Sequence, residues 1–162
     1  LVMKHKTIEI NYSESDSIEA LNENDAELVI KARDAAKNAW APYSGFHVGA
    51  ALLLDNGKVV TGNNQENAAY PSGLCAERVA LFAANANYLR DRVVSMAISA
   101  FTKKGLVDKP VSPCGSCRQA ILESEERFGI PFRLILDGAK SIIIVEGIKN
   151  LLPLSFNKES LA

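Results

Sequence analysis

The chain has 162 residues, 48% of them hydrophobic, which is the size of one domain and enough for one apolar core. Its net charge is -1, from 18 basic and 19 acidic residues, so it lacks the basic surplus of nucleic-acid-binding proteins and favours a small neutral substrate. No run approaches the ~20 apolar residues of a membrane span, and the first residues lack the apolar stretch of a secretory leader, so neither a membrane partner nor export is expected.

Residues 1–23 are polar and read as an N-terminal extension or a short edge strand, leaving 24–162 as a single catalytic domain. Residues 24–40 place Leu28, Val29, Ala32, Ala35, Ala36, Ala39 and Trp40 at helical spacing. Asn24 with Glu27 resembles a capping box, and Pro42 ends the helix. His47–Leu54 and Lys58–Asn63 form a hairpin across Asn56-Gly57, a strong turn signal. A loop over 64–74 leads to a second helix that opens near Cys75. Val93–Phe101 reads as a buried strand and 102–112 as a polar loop. A third helix runs from about Cys114 to Phe128, capped by Gly129. Two last strands, Phe132–Leu136 and Ser141–Val145, meet at Asp137-Gly138. The alternation predicts an α/β fold, three layers α/β/α around a mixed sheet of five strands.

All three cysteines fall in two motifs, Cys75-Ala76-Glu77 and Pro113-Cys114-Gly115-Ser116-Cys117. An odd number cannot complete a disulfide framework, so reduced, metal-bound thiolates in a cytoplasm fit better. Three sulfur ligands beside a carboxylate describe a catalytic zinc site with its fourth position open, since structural sites are closed by four protein ligands. Cys114 and Cys117 begin one helix and Cys75 another, so two positive helix ends converge on the sulfurs and stabilise thiolates. Glu77 is the natural proton carrier. Three thiolates leave a bare zinc site net negative, and Arg78, beside both Cys75 and Glu77, is the preferred candidate to withdraw that charge; Arg118 is the second. A redox C-x-x-C pair leaves Cys75 and Glu77 idle. A structural zinc site needs a fourth ligand, and only His5 or His47 is available.

Cysteine or histidine two residues before glutamate, followed by P-C-x-x-C, is the signature of zinc deaminases. The stretch from Ala41 through Pro42-Tyr43-Ser44-Gly45-Phe46-His47-Val48-Gly49 to Ala51, the stretch Asn64-Gln65-Glu66-Asn67-Ala68-Ala69-Tyr70, and the tail Leu151-Leu152-Pro153 with Phe156 resemble the small, homotetrameric, three-cysteine cytidine deaminases. The resemblance runs from about the first helix to Phe156. It implies one zinc ion per chain held by Cys75, Cys114 and Cys117, with Glu77 shuttling protons. It implies Phe46 stacked on the pyrimidine, Asn64 and Glu66 on the ribose 3′-hydroxyl, and backbone near Ala76 and Ser112–Cys114 on the base edge. Tyr70 and Phe156 resemble residues that approach a neighbouring subunit's site. The chain departs from the pattern at His47, where many relatives have Pro or Lys, and at Gln65, where the usual residue is apolar. The implied reaction is deamination of cytidine and 2′-deoxycytidine to uridine and 2′-deoxyuridine, in pyrimidine salvage. The alternatives are a deaminase of another aminopyrimidine nucleoside, such as blasticidin S, and a structural zinc protein without turnover.

Overall fold

The computed structural model describes residues 2–161. Its centre is a mixed sheet of β1 (Ser13–Ser15), β2 (His47–Leu54), β3 (Val59–Asn63), β4 (Val93–Thr102), β5 (Gly105–Leu106), β6 (Arg133–Leu136) and β7 (Ile142–Glu146). The order is β1-β7-β6-β4-β2-β3, with β5 paired to β4. Only β4 and β6 run parallel, joined by a crossover through a helix; the other pairs are antiparallel.

Helix α1 (Glu23–Ala36) covers one face, and α2 (Ala76–Asn87) and α3 (Gly115–Phe128) cover the other. The strand period of two divides the core accordingly. Ala50, Leu52 and Leu54 of β2, Met96 and Ile98 of β4, and Leu134 and Leu136 of β6 face α2 and α3. Ala51, Ala97 and Ile135 face Leu28, Val29 and Ala32 of α1. The three-layer expectation holds.

The strand count does not: seven strands replace the expected five. One addition is β1, whose Ser13–Ser15 pairs antiparallel with Ile144–Ile142 at the sheet edge, the second of the two readings given for residues 1–23. Ile18 and Leu21 just after it pack against the α1 side of the core. The other is β5, two residues that fold back on Phe101 and Thr102 through Gly105 at φ +104. Segments this short and polar carry no periodicity. The first helix also differs. Its N-cap is Asn22, whose Oδ1 accepts the Asp25 amide at 2.9 Å, so the cap lies two residues before the expected Asn24. It stops at Ala36 because Trp40 is drawn to the strand side: its amide donates to Asn64 O at 3.0 Å, and its carbonyl accepts the Glu66 amide at 2.8 Å.

Two glycines set how closely helices approach the sheet. A Cβ on Gly49 of β2 would stand 2.0 Å from Ala32 O of α1, and one on Gly62 of β3 would stand 2.4 Å from Ala80 N of α2. The second contact brings α2, and the residues at its N-terminus, directly onto the sheet.

Candidate metal centre and substrate pocket

Cys75 is the N-cap of α2 and Cys114 the N-cap of α3; both have extended backbone, and neither side chain caps a backbone amide of its helix. Their sulfurs are therefore free to turn toward each other, while Cys117, one turn into α3, is fully buried beneath them. The Cys75 and Cys114 sulfurs are 3.8 Å apart and those of Cys114 and Cys117 3.5 Å; all three lie within 4.8 Å of one another. Tetrahedral zinc with bonds near 2.3 Å holds sulfurs about 3.8 Å apart, so this donor set fits the ion. Among the described residues no His, Asp or Glu joins the cluster, which removes His5 and His47 as a fourth ligand. Cys114 is exposed and Cys75 half-buried, so the cluster is open on one side.

The electrostatics agree with a cation site. The hydrogen bond from Cys117, then Arg78 and Cys114, lowers the Cys75 thiol to about 5. The same hydrogen bond, with burial, pushes Cys117 upward. Thiolates this close repel one another, and a cation held among them would offset that repulsion. Arg78 Nη2 reaches Cys75 Sγ at 3.9 Å, and its buried Nε has no hydrogen-bond partner among the described residues. Arg118 is occupied elsewhere: its Nε donates to Pro113 O at 2.8 Å and its Nη1 to Leu151 O at 2.6 Å, tying α3 to the C-terminal tail. Glu77, in the first turn of α2, is 5% exposed. Burial raises its carboxyl above the ordinary range, and the charge on Cys75 adds to this.

A cavity of about 590 Å³ adjoins the cluster, lined by Tyr43, Ser44, Asn64, Glu66, Cys75 and Arg78 among others. Tyr70 stands at its rim, edge-on to Tyr43 at 6.2 Å between ring centroids, and is 75% exposed. Glu66 and Asn64 already have partners. Glu66 Oε2 accepts the amides of Tyr43 at 2.8 Å and Ser44 at 3.2 Å, and Oε1 accepts the Ser44 hydroxyl. The Ser44 hydroxyl, first among these bonds, holds the Glu66 carboxyl below the ordinary range. Asn64 Oδ1 accepts the Val48 amide at 2.7 Å, and its Nδ2 donates to Phe46 O at 2.9 Å. Phe46 is half-buried and Ala76 fully buried; neither lines the cavity. Nor does Phe156, which is 61% exposed in the tail with its carbonyl on Gln119 Nε2 at 2.9 Å. Sequence reasoning missed Ser44 and Tyr43 as pocket residues; the turn signal Pro42-Tyr43-Ser44-Gly45, with Gly45 at φ +63, was the available clue.

Residues 22–129 match the family model described as the cytidine and deoxycytidylate deaminase zinc-binding region. A cytidine deaminase of Sporosarcina psychrophila is 39% identical over 135 residues, 83% of this chain and 93% of the relative. One from Halalkalibacterium halodurans is 49% identical over 100 residues, 61% of this chain and 71% of the relative. The crystal structure of cytidine deaminase from Burkholderia pseudomallei superposes with a TM-score of 0.69 at 35% identity, covering 84% of this chain and all of that one. The three cysteines and Glu77 lie within the matched segment, and the chain belongs to the cytidine and deoxycytidylate deaminase family.

Proposed function

We propose that this chain catalyses the hydrolytic deamination of cytidine and 2′-deoxycytidine, converting each with water to uridine or 2′-deoxyuridine and ammonia. The observation that carries the reading is the cluster of three sulfurs, open on the side of a cavity, with the buried Glu77 two residues from Cys75. Cys75, Cys114 and Cys117 would hold a zinc ion, which would supply the acidity that turns water into a nucleophile at neutral pH. Glu77 takes a proton from the attacking water and passes it to N3 of the base, then carries the remaining proton of the hydroxyl added at C4 to the departing amino group, which leaves as ammonia. Its buried carboxyl holds a proton more readily than an exposed one, which suits it to both transfers. Arg78 offsets thiolate charge from beside Cys75.

Glu66 and Asn64 bind the ribose 3′-hydroxyl from the cavity wall, Phe46 stacks on the base, and backbone at Ala76 and Ser112–Cys114 reads the base edge. Tyr70 and Phe156, both largely exposed in the isolated chain, complete the site across subunit contacts of a homotetramer. The reading places residues 24–162 in one catalytic domain, with an N-terminal extension whose strand Ser13–Ser15 joins the sheet of that domain. It places the enzyme in the cytoplasm, in pyrimidine salvage, without nucleic acid or membrane as partner; no described helix is long and apolar enough to cross a membrane.

The test follows ultraviolet absorbance of zinc-quantified protein with cytidine, 2′-deoxycytidine, blasticidin S and cytosine in parallel. Turnover of the two nucleosides, abolished by a zinc-stripping chelator, is expected. Turnover of blasticidin S alone moves the assignment to another aminopyrimidine nucleoside. One bound zinc per chain with no turnover at all leaves a structural zinc protein.

A further inference from the structure

The Ser44 hydroxyl lies within the stretch Ala41–Ala51 but has been given no role so far. It lies in the tight turn between α1 and β2, where Gly45 takes φ +63 and its amide returns to Ala41 O at 3.0 Å. The hydroxyl makes two bonds of opposite sense. It accepts the Phe46 amide at 3.0 Å, and it donates to Glu66 Oε1. A hydroxyl has one proton and free rotation about its bond to carbon. The Phe46 amide occupies a lone pair, which bars the proton from that direction, and the Glu66 carboxylate takes the proton in a hydrogen bond.

The consequence falls on the carboxylate. Glu66 offers about four acceptor positions on its two oxygens. Oε2 uses two on the amides of Tyr43 and Ser44, and Oε1 uses one on the Ser44 hydroxyl. One acceptor position remains on Oε1, at the wall of the cavity that Glu66 lines. Without the hydroxyl, Oε1 has no partner among the described residues and the plane of the carboxylate is set from one side only. Phe46 is secured separately, because Asn64 Nδ2 holds its carbonyl at 2.9 Å. Loss of the hydroxyl thus acts on Glu66, while the Phe46 backbone gives up one bond and keeps the other, to Asn64.

We infer that Ser44 is a positioning residue for sugar recognition: its hydroxyl orients the Glu66 carboxylate so that one free lone pair meets a ribose hydroxyl. The inference rests on the assignment of Glu66 to the sugar. Ser44 touches neither the sulfurs nor Glu77, so its effect belongs to KM and not to kcat.

The test compares the zinc-loaded full chain with its Ser44→Ala, Ser44→Thr, Glu66→Gln and Ser44→Ala/Glu66→Gln variants on cytidine and on 3′-deoxycytidine. Ser44→Ala is expected to raise KM for cytidine about tenfold, the loss of one charge-assisted hydrogen bond, and to change kcat by less than about twofold. KM for 3′-deoxycytidine stays near the parent value. Ser44→Thr, which keeps the hydroxyl, restores cytidine KM, and the double variant is no worse than Glu66→Gln alone. Because Ser44 is exposed, Tm should stay within about 2 °C of the parent. If Glu66→Gln discriminates between the two substrates and Ser44→Ala does not, the role of Ser44 falls and that of Glu66 stands. If Glu66→Gln affects both substrates alike, the sugar assignment falls and takes this inference with it. A Ser44→Ala protein that loses Tm, with both substrates impaired equally, makes Ser44 a plain element of the turn and overturns the inference.

Discussion

Gly62→Ala tests whether the closeness of α2 to the sheet is what places the site. The added Cβ would lie 2.4 Å from Ala80 N, 2.7 Å from Ala76 O and 2.9 Å from the Ala80 Cα. All three are helix backbone and cannot rotate away. Ordinary contact begins at 3.4 Å, so α2 must move out by about 1.0 Å or β3 must bend by as much. Cys75 caps this helix, and Ala76 and Glu77 form its first turn. A shift of that size moves one sulfur and the proton carrier relative to Cys114 and Cys117, which ride on α3. Misplacement by ~1 Å costs on the order of 100-fold in rate. Overpacking itself costs about 1–3 kcal/mol, or ~2–12 °C in Tm for a chain of this length. Gly49→Ala is the paired control: its Cβ would strike Ala32 O at 2.0 Å, so it displaces α1 and leaves the sulfur-bearing helices in place. Zinc content by mass spectrometry, Tm and kcat/KM on cytidine are measured for both variants. Both should lose Tm, and Gly62→Ala should lose far more activity than Gly49→Ala. Equal activity loss at equal Tm loss, or a Gly62→Ala protein with parental kcat/KM, would refute the reasoning.

Three further outcomes are expected. Glu77→Gln keeps the shape of the buried side chain but cannot carry a proton, so zinc content and Tm should hold while kcat falls by at least ~10²–10⁴, as stopped assays of uridine formation would show. Arg33→Ala removes the partner of Asp137, whose fully buried carboxylate Arg33 grips through Nε and Nη2 at 2.8 Å each. Urea unfolding should show a loss of about 3 kcal/mol, the low end for a broken buried pair because the Arg33 side chain is 31% exposed. Burial raises the Glu125 carboxyl above its ordinary range in the folded chain. Folded protein then holds that proton more tightly than unfolded protein, so this group's contribution is greatest below the ordinary carboxyl pKa and declines as pH rises through the folded value. Glu125→Gln should flatten that decline in a Tm-against-pH series; an unchanged slope would remove Glu125 as its source.

The sequence alone determined the parts that depend on short-range chemistry. The cysteine spacing named the sulfur donors because two of them share one helical turn and the third precedes a carboxylate. The succession of helices and strands named the layers, whereas the uniformly apolar run of β2 was sorted only in the packed sheet, with Ala50, Leu52 and Leu54 in one core and Ala51 in the other. Gly129 takes the left-handed conformation expected of a helix cap, at φ 68, and Gly57 turns the hairpin at φ +82. What only the tertiary structure decided involves partners distant in the chain. Asp137 reads as a polar turn residue, yet it is fully buried, because Arg33 and Ser99 supply its hydrogen bonds from α1 and β4. Arg118 reads as a neighbour of the sulfurs, yet its guanidinium faces the carbonyls of Pro113 and Leu151. Glu66 and Ser44 are 22 positions apart, and their bond exists only because the residues after β3 run alongside the turn before β2. Local pattern sets what a residue offers, whereas burial and long-range pairing set what it meets, and those depend on the packed sheet as a whole.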